Sequence, residues 1–330
     1  MAYHKCFSFL TIAFLFCVQS NLLALDSIES PRTGEVIEGL HSFKRFQVID
    51  SLRRKITYYV SAPTKSTLPL VALVTGSGCV SHFRKKANGS IGGGYQNVLK
   101  GVVSGRAHVM VVEKPYVEFL DFNTSPGSAK NCSINFNESH TLENWSQALK
   151  ASIEDAMALP FVNKSRVLLI GHSEGAISVS MVASMLPEIT HVATLSGSGP
   201  SQLFDFVAMA SSPEEVQHIY KTYEAIQEDP LSSIKFWRGH PFIRWSSFFS
   251  FSTIELLEKT RAKLYMVHGE NDQAVPVSSF DALVVDLKRK KRPFSFLRIP
   301  EANHSLNKPK QSSPEGMRNV FKMISQWFLN

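Results

Sequence analysis

The chain has 330 residues, 35 Lys and Arg against 28 Asp and Glu for a formal net charge of +7, and a composition that is 44% hydrophobic and 19% charged. That balance excludes a disordered tail, a coiled coil and a collagen-like chain. The densest basic run, Lys288-Arg289-Lys290-Lys291-Arg292, has no interleaved aromatic residue and reads as a solvated helix end, so no nucleic-acid partner is expected.

His4 and Lys5 lead into an apolar run from Phe7 to Val18, which Gln19, Ser20 and Asn21 interrupt. The run is too short to span a bilayer comfortably, and an uncleaved membrane anchor is the alternative reading. With Leu22-Leu23-Ala24 at its end it predicts a cleavable signal over residues 1–24, and hence a secreted or periplasmic protein. No later segment reaches about 18 continuous apolar residues, so no stable membrane span is expected in the mature chain. Cleavage would remove Cys6 and Cys17 and leave Cys79 and Cys132, an even pair in an oxidising compartment.

Residues 46–50 and 55–60 predict a hairpin. Apolar runs at 70–74, 107–112, 166–170, 191–195, 263–267 and 294–299 read as strands. Helical spacing marks 94–104, 140–158, 174–186 and 314–328, and a polar loop covers 114–137. Strands alternating with helices imply a mostly parallel sheet covered on both faces. Residues 201–260 break this rhythm. They carry helical patterns and the aromatics Phe236, Trp237, Phe242, Trp245, Phe248, Phe249 and Phe251, and predict a helical cap over the C-terminal edge of the sheet.

Gly171-His172-Ser173-Glu174-Gly175 matches Gly-x-Ser-x-Gly and stands between a buried strand and an apolar helix. A strand-to-helix turn projects the serine above the sheet, and the helix N-terminus favours negative charge there. A serine hydroxyl needs a base, and the base needs a carboxylate to hold its tautomer. His304 follows the last strand, and Asp272 follows the strand at 263–267, with Glu270 as the rival acid. Gly76-Ser77-Gly78 lacks the third glycine of a nucleotide-binding loop, and Gly92-Gly93-Gly94 reads as a mobile loop. No His-Glu-x-x-His or Cys-x-x-Cys occurs, so neither metal nor cofactor is expected. His172 reads as a packed neighbour, and His82 and His240 as residues that could line a pocket.

The order Ser173, Asp272, His304, each after a strand, resembles the α/β-hydrolase family, and the resemblance runs from the hairpin to the last helix. It implies an α/β-hydrolase fold over residues 25–330, with the cap at about 201–260. It also implies an oxyanion hole from two backbone N–H groups: one of Glu174, the other from the loop Thr75–Cys79, with Ser77 chosen and Gly78 in reserve. Cys79 and Cys132 then fall in loops on one edge of the sheet, where a disulfide would brace the oxyanion loop.

The expected activity is that of a secreted serine hydrolase cleaving a carboxylic ester or thioester through an acyl-enzyme, with a small-molecule ester or acyl group as substrate. A peptidase of the same fold is the alternative, with Glu113 as the one candidate partner for a chain terminus. A non-catalytic binder on this fold is the third reading. The sequence says nothing of oligomeric state.

Overall fold

Continuous apolar runs, bounded by glycine or polar residues, become the inner strands of one twisted sheet. The computed structural model describes Met1, residues 34–62 and residues 66–330; apart from Met1, the expected signal lies outside the described residues. Its strands are β1 (Glu35–Ile37), β2 (Leu40–Ile49), β3 (Lys55–Ser61), β4 (Leu68–Val74), β5 (Phe83–Lys85), β6 (Ile91–Gly93), β7 (His108–Val112), β8 (Val162–His172), β9 (His191–Leu195), β10 (Phe236–Trp237), β11 (His240–Pro241), β12 (Lys263–Gly269) and β13 (Ser295–Ile299). The main sheet runs β1-β2-β3-β7-β4-β8-β9-β12-β13. From β7 to β13 every pairing is parallel, while β1, β2 and β3 join through antiparallel pairings. Gly92 and Gly93, expected in a mobile loop, instead pair with Arg84 and Phe83 in the β5–β6 ribbon.

The helices are α1 (Tyr95–Val103), α2 (Ile134–Ser139), α3 (Leu142–Met157), α4 (Glu174–Met185), α5 (Gln202–Met209), α6 (Pro213–Glu228), α7 (Phe242–Phe249), α8 (Thr253–Lys259), α9 (Val277–Arg289) and α10 (Glu315–Leu329). Side chains alternate across a strand, so a doubly buried strand must be apolar at both parities. On β4, Leu70, Ala72 and Val74 join a core with Trp145, Leu149 and Ile153 of α3 and Val179 and Val182 of α4. Val71 and Leu73 join the opposite core, with Leu99 of α1 and Met317, Phe321 and Phe328 of α10. Hydroxyls cap four helices where the chain turns in: Ser133, Thr141, Ser201 and Ser212 each accept the N–H three residues on.

Between β9 and β12 the chain forms α5, α6, the β10–β11 ribbon, α7 and α8. The aromatics of this stretch serve mainly its own core. Phe242, Trp245 and Phe249 cluster with Phe206, Tyr223 and Trp237, while Phe248 packs against Leu142, Ile177 and Leu256. The basic run ends α9: Arg289 and Lys290 pair with Asp286, and Arg292 donates to the Thr260 and Ala262 carbonyls. Among the described residues, no helix is long and apolar enough to cross a membrane.

Candidate active site

β8 ends at His172, and α4 begins at Glu174. Ser173 between them sits at φ 59° and ψ −125°, a backbone conformation that costs on the order of 1–3 kcal/mol for a residue with a Cβ. Packing holds it there. A Cβ on Gly171 would stand 2.2 Å from the Gly175 carbonyl oxygen, and one on Gly175 would stand 2.2 Å from the Val74 carbonyl oxygen. Both glycines are therefore required for α4 to approach β4 and β8. The Ser173 N–H donates to Leu195 O of the neighbouring strand at 2.9 Å.

Asp272 and His304 arrive on the loops after β12 and β13, which are adjacent parallel strands. His304 Nδ1 lies 2.9 and 2.8 Å from the two Asp272 carboxylate oxygens. With that nitrogen donating, Nε2 is left unprotonated, as a base requires. Burial alone would raise the Asp272 carboxyl. Hydrogen bonds from His304 and from the Val275 and Ala274 amides outweigh it and hold the group below the usual carboxylate range. Glu270, the rival acid, turns away to pair with Arg298 at 3.0 Å.

His304 stands beside the elbow. Its carbonyl accepts the His172 Nε2–H at 2.9 Å, and the two rings lie 4.9 Å apart. Burial, reinforced by the neighbouring His304, lowers His172 to about 4 and keeps it neutral, as a packed neighbour. The Ser173 hydroxyl makes no hydrogen bond to the His304 ring; contacts between a nucleophile and its base are often long and tighten in the Michaelis complex.

The loop after β4 packs against the serine. A Cβ on Gly76 would be 3.2 Å from Ser173 Cβ and 3.4 Å from its Oγ. Ser77 Oγ donates to Gly127 O at 2.9 Å, and Gly78 adopts φ +93°, where a Cβ would stand 2.9 Å from Gly127 N. Cys79 and Cys132 are joined by a disulfide, with Cα atoms 5.9 Å apart. The loop 75–79 is thus tied to the segment 127–132 by a covalent bond as well as by a hydrogen bond.

One assembly was not foreseen from the sequence. The Glu174 side chain, 3% exposed, points away from solvent into three basic groups. Lys114 Nζ lies 2.8 Å from Oε1, Arg244 Nη2 lies 2.8 Å from Oε2, and His140 Nε2 lies 3.1 Å from Oε1. Burial pushes the Glu174 carboxyl up, but Lys114, His140 and Arg244 overcome it and hold it well below the usual range. Arg244 also donates to Gln202 Oε1 at 2.7 Å and stacks between the Trp245 and Phe248 rings at 4.1 and 4.0 Å. The signal for this cluster was Glu174 itself: a carboxylate opening an apolar helix must find countercharge. The sequence does not say from where.

A cavity of about 340 Å³ opens over Ser173, lined by Ser77, Glu174, Asp205, Arg238, His240, Arg244 and Trp245 among others. His240 therefore lines it, as expected. His82 lines a neighbouring cavity that the loop 75–78 also borders, and so does Glu113. Glu113 accepts Ser81 Oγ at 2.6 Å and the His82 N–H at 3.3 Å. It is a structural carboxyl outside the cavity that holds the serine.

A model of the prolyl oligopeptidase family matches residues 144–330, more than half of the chain. The chain belongs to the prolyl oligopeptidase family. The match covers the elbow and both strands whose loops carry Asp272 and His304. Solved structures share the α/β-hydrolase fold at low identity. Acylaminoacyl peptidase from Pyrococcus horikoshii superposes with a TM-score of 0.60 at 14% identity, over 88% of this chain and 41% of that one. This family member thus spans about two-fifths of that peptidase's length. Est1E from Butyrivibrio proteoclasticus gives 0.53 at 16% identity, over 86% of this chain and 97% of that one. The esterase domain of a Rhodothermus marinus protein gives 0.53 at 17%, over 87% and 98%. No curated protein matches the sequence.

Proposed function

We propose that this member of the prolyl oligopeptidase family is a secreted serine hydrolase that cleaves carboxylic esters or thioesters. Ser173 Oγ attacks the carbonyl carbon while His304 Nε2 takes its proton. The Glu174 and Ser77 amides receive the oxyanion, and Asp272 stabilises the imidazolium. Collapse of the tetrahedral intermediate breaks the bond to the leaving group, which takes the proton from His304. Water, deprotonated by His304, then attacks the acyl-enzyme and releases the acid and the serine. The observation that carries this reading is the His304–Asp272 pair beside a serine held at positive φ at the head of α4.

A cavity of about 340 Å³ stands near the small end of ligand sites, which favours a short acyl or aryl group. The insertion's aromatics add little to this, because most are spent on their own packing. The Cys79–Cys132 disulfide suits an oxidising compartment and so supports export through the N-terminal signal.

The family match favours a second reading, a peptidase. A peptide terminus would need a charged partner in the cavity over Ser173; Glu113 lies outside it, and the charged groups that line it are Asp205, Arg238, Arg244 and Glu174, the last two paired with each other. The test is a series of p-nitrophenyl esters of increasing acyl length against aminoacyl p-nitroanilides, with fluorophosphonate labelling of Ser173. Turnover that is fastest on short esters, lost by on the order of 10⁶-fold in Ser173→Ala, is expected. Faster cleavage of the anilides would make the protein a peptidase, and a folded protein that neither reacts with the probe nor turns over substrate would be a binder.

A further inference from the structure

Lys114 follows the buried strand β7 and is 8% exposed. An ammonium buried to this depth gives up its hydration and must have every donor satisfied. It has three donors, and each has a partner: Glu174 Oε1 at 2.8 Å, Gly76 O at 2.8 Å and Gly78 O at 3.2 Å. Neutralising Glu174 does not by itself explain this arrangement, because Arg244 already pairs with the same carboxylate. The other two donors go to two carbonyls of a single loop, the one that packs against the nucleophile.

The Gly76 carbonyl shares a peptide plane with the Ser77 N–H. In a trans peptide the two point in opposite directions, so holding the oxygen aims the N–H. A charged donor on the oxygen also polarises the amide and strengthens the hydrogen bond its N–H can give. The reserve donor, the Gly78 N–H, shares its plane with the Ser77 carbonyl, which Lys114 does not touch. Glu174 closes the circuit: its side chain anchors Lys114, and its own N–H is the other amide facing the oxyanion.

We infer that Lys114 is a positioning residue of the oxyanion hole, aiming the Ser77 N–H through the Gly76 carbonyl, and that its pair with Glu174 ties the two oxyanion donors into one unit. This rests on the hydrolase reading above. Lys114 contacts no reacting atom. Its effect is confined to steps in which negative charge builds on the carbonyl oxygen, and ground-state binding is spared.

The test measures kcat and KM on p-nitrophenyl acetate, and Ki for a trifluoromethyl ketone whose adduct with Ser173 places an oxyanion in the same hole. In Lys114→Met, kcat falls about 100-fold, the size of losing an oxyanion donor, and the ketone's Ki rises by a similar factor. KM changes by less than about threefold. Lys114→Arg, which keeps charge and donors, recovers part of both losses. A purely structural role would shift the unfolding midpoint without making kcat and Ki move together. A kcat within about threefold of wild type, or a Ki that does not follow kcat, overturns the inference. If Lys114→Met does not fold, Lys114→Gln, with one donor left for the Gly76 carbonyl, is read by the same two constants and a fall of about 10-fold is expected. Wild-type protein without Ser173-dependent turnover overturns the reaction and this inference together. Ser173-dependent turnover with an unaffected Lys114 variant overturns only the inference.

Discussion

The two flanks of Ser173 are built on different principles. On the histidine flank, one carboxylate and one imidazole meet on the loops after two adjacent strands, and the carboxylate is completed by amides of its own loop. On the oxyanion flank, one carboxylate is surrounded by Lys114, His140 and Arg244, drawn from three distant parts of the chain. The first flank is local, partly open to solvent at His304, and organised around a proton. The second is buried, long-range, and organised around fixed charge. The contrast teaches that an imidazole can be oriented by loop chemistry alone, whereas a buried carboxylate with three basic partners requires the whole fold.

The contrast predicts different penalties. On the histidine flank, Asp272→Asn should lower kcat by about 10⁴-fold, because the imidazole loses its tautomer and the partner of its cation. Unfolding in urea should change little, since the asparagine can still accept the Ala274 and Val275 amides through its Oδ1. A large loss of stability with modest loss of rate would reverse the assignment of roles. On the oxyanion flank, Glu174→Ala should cost about 3–5 kcal/mol in urea unfolding, since Lys114 and Arg244 would be left buried and mutually repelling. Replacing Glu174, Lys114 and Arg244 together by apolar residues of similar size should cost much less. Additive losses across the three sites would show that they do not act as one cluster.

The disulfide sharpens the same contrast, because it braces the oxyanion flank only. Replacing Cys79 and Cys132 by Ser should cost roughly 2–5 kcal/mol, given a sequence separation of 53 residues. The rate should fall through the oxyanion loop, with the Ki of the trifluoromethyl ketone rising in step. A Ki that stays in place while the rate falls would mean the two flanks are coupled more tightly than their contacts suggest.

How much of this is legible in the sequence follows from the same division. The inner strands stand out because a strand buried on both faces must be a continuous apolar run, as Leu70–Val74 and Val167–Ile170 are. Ser173, Asp272 and His304 stand out because each is punctuation after such a run. β1 and the two short ribbons are too brief to carry a pattern, and Gly92-Gly93 reads as loose backbone until Phe83 and Arg84 are seen beside it. The aromatics of α7 mark the cap in sequence, but only the structure shows that most face one another. Lys114, His140 and Arg244 are ordinary charged residues to any local reading. Only the folded chain shows that they share one carboxylate.

The smallest effect expected is in the dependence of stability on pH, where buried histidines and buried carboxyls act with opposite sign. An unfolded histidine takes up its proton near pH 6.5. Burial holds His82, His172 and His191 down to about 4 and His240 to about 3. Below pH 6.5 the unfolded chain therefore binds more protons at these four sites, and they make stability rise with pH. Glu113, under the oxyanion loop, acts in the opposite sense. Burial pushes its carboxyl up to about 8, so the native protein keeps a proton that the unfolded chain releases near 4.5. Asp205, pushed up to about 7 by burial, adds to this over a narrower range. Below pH 6.5 the four histidines outweigh the two carboxyls. Above it only the carboxyls remain, and stability declines toward pH 8. Urea unfolding between pH 5 and 8.5 should therefore show a maximum near 6.5. Glu113→Gln should flatten the alkaline side and leave the acid side in place. A wild-type curve already flat from 6.5 to 8 would mean that Glu113 is ionised in the native protein. The donors from Ser81 and His82, which favour the ionised carboxylate, would then outweigh its burial.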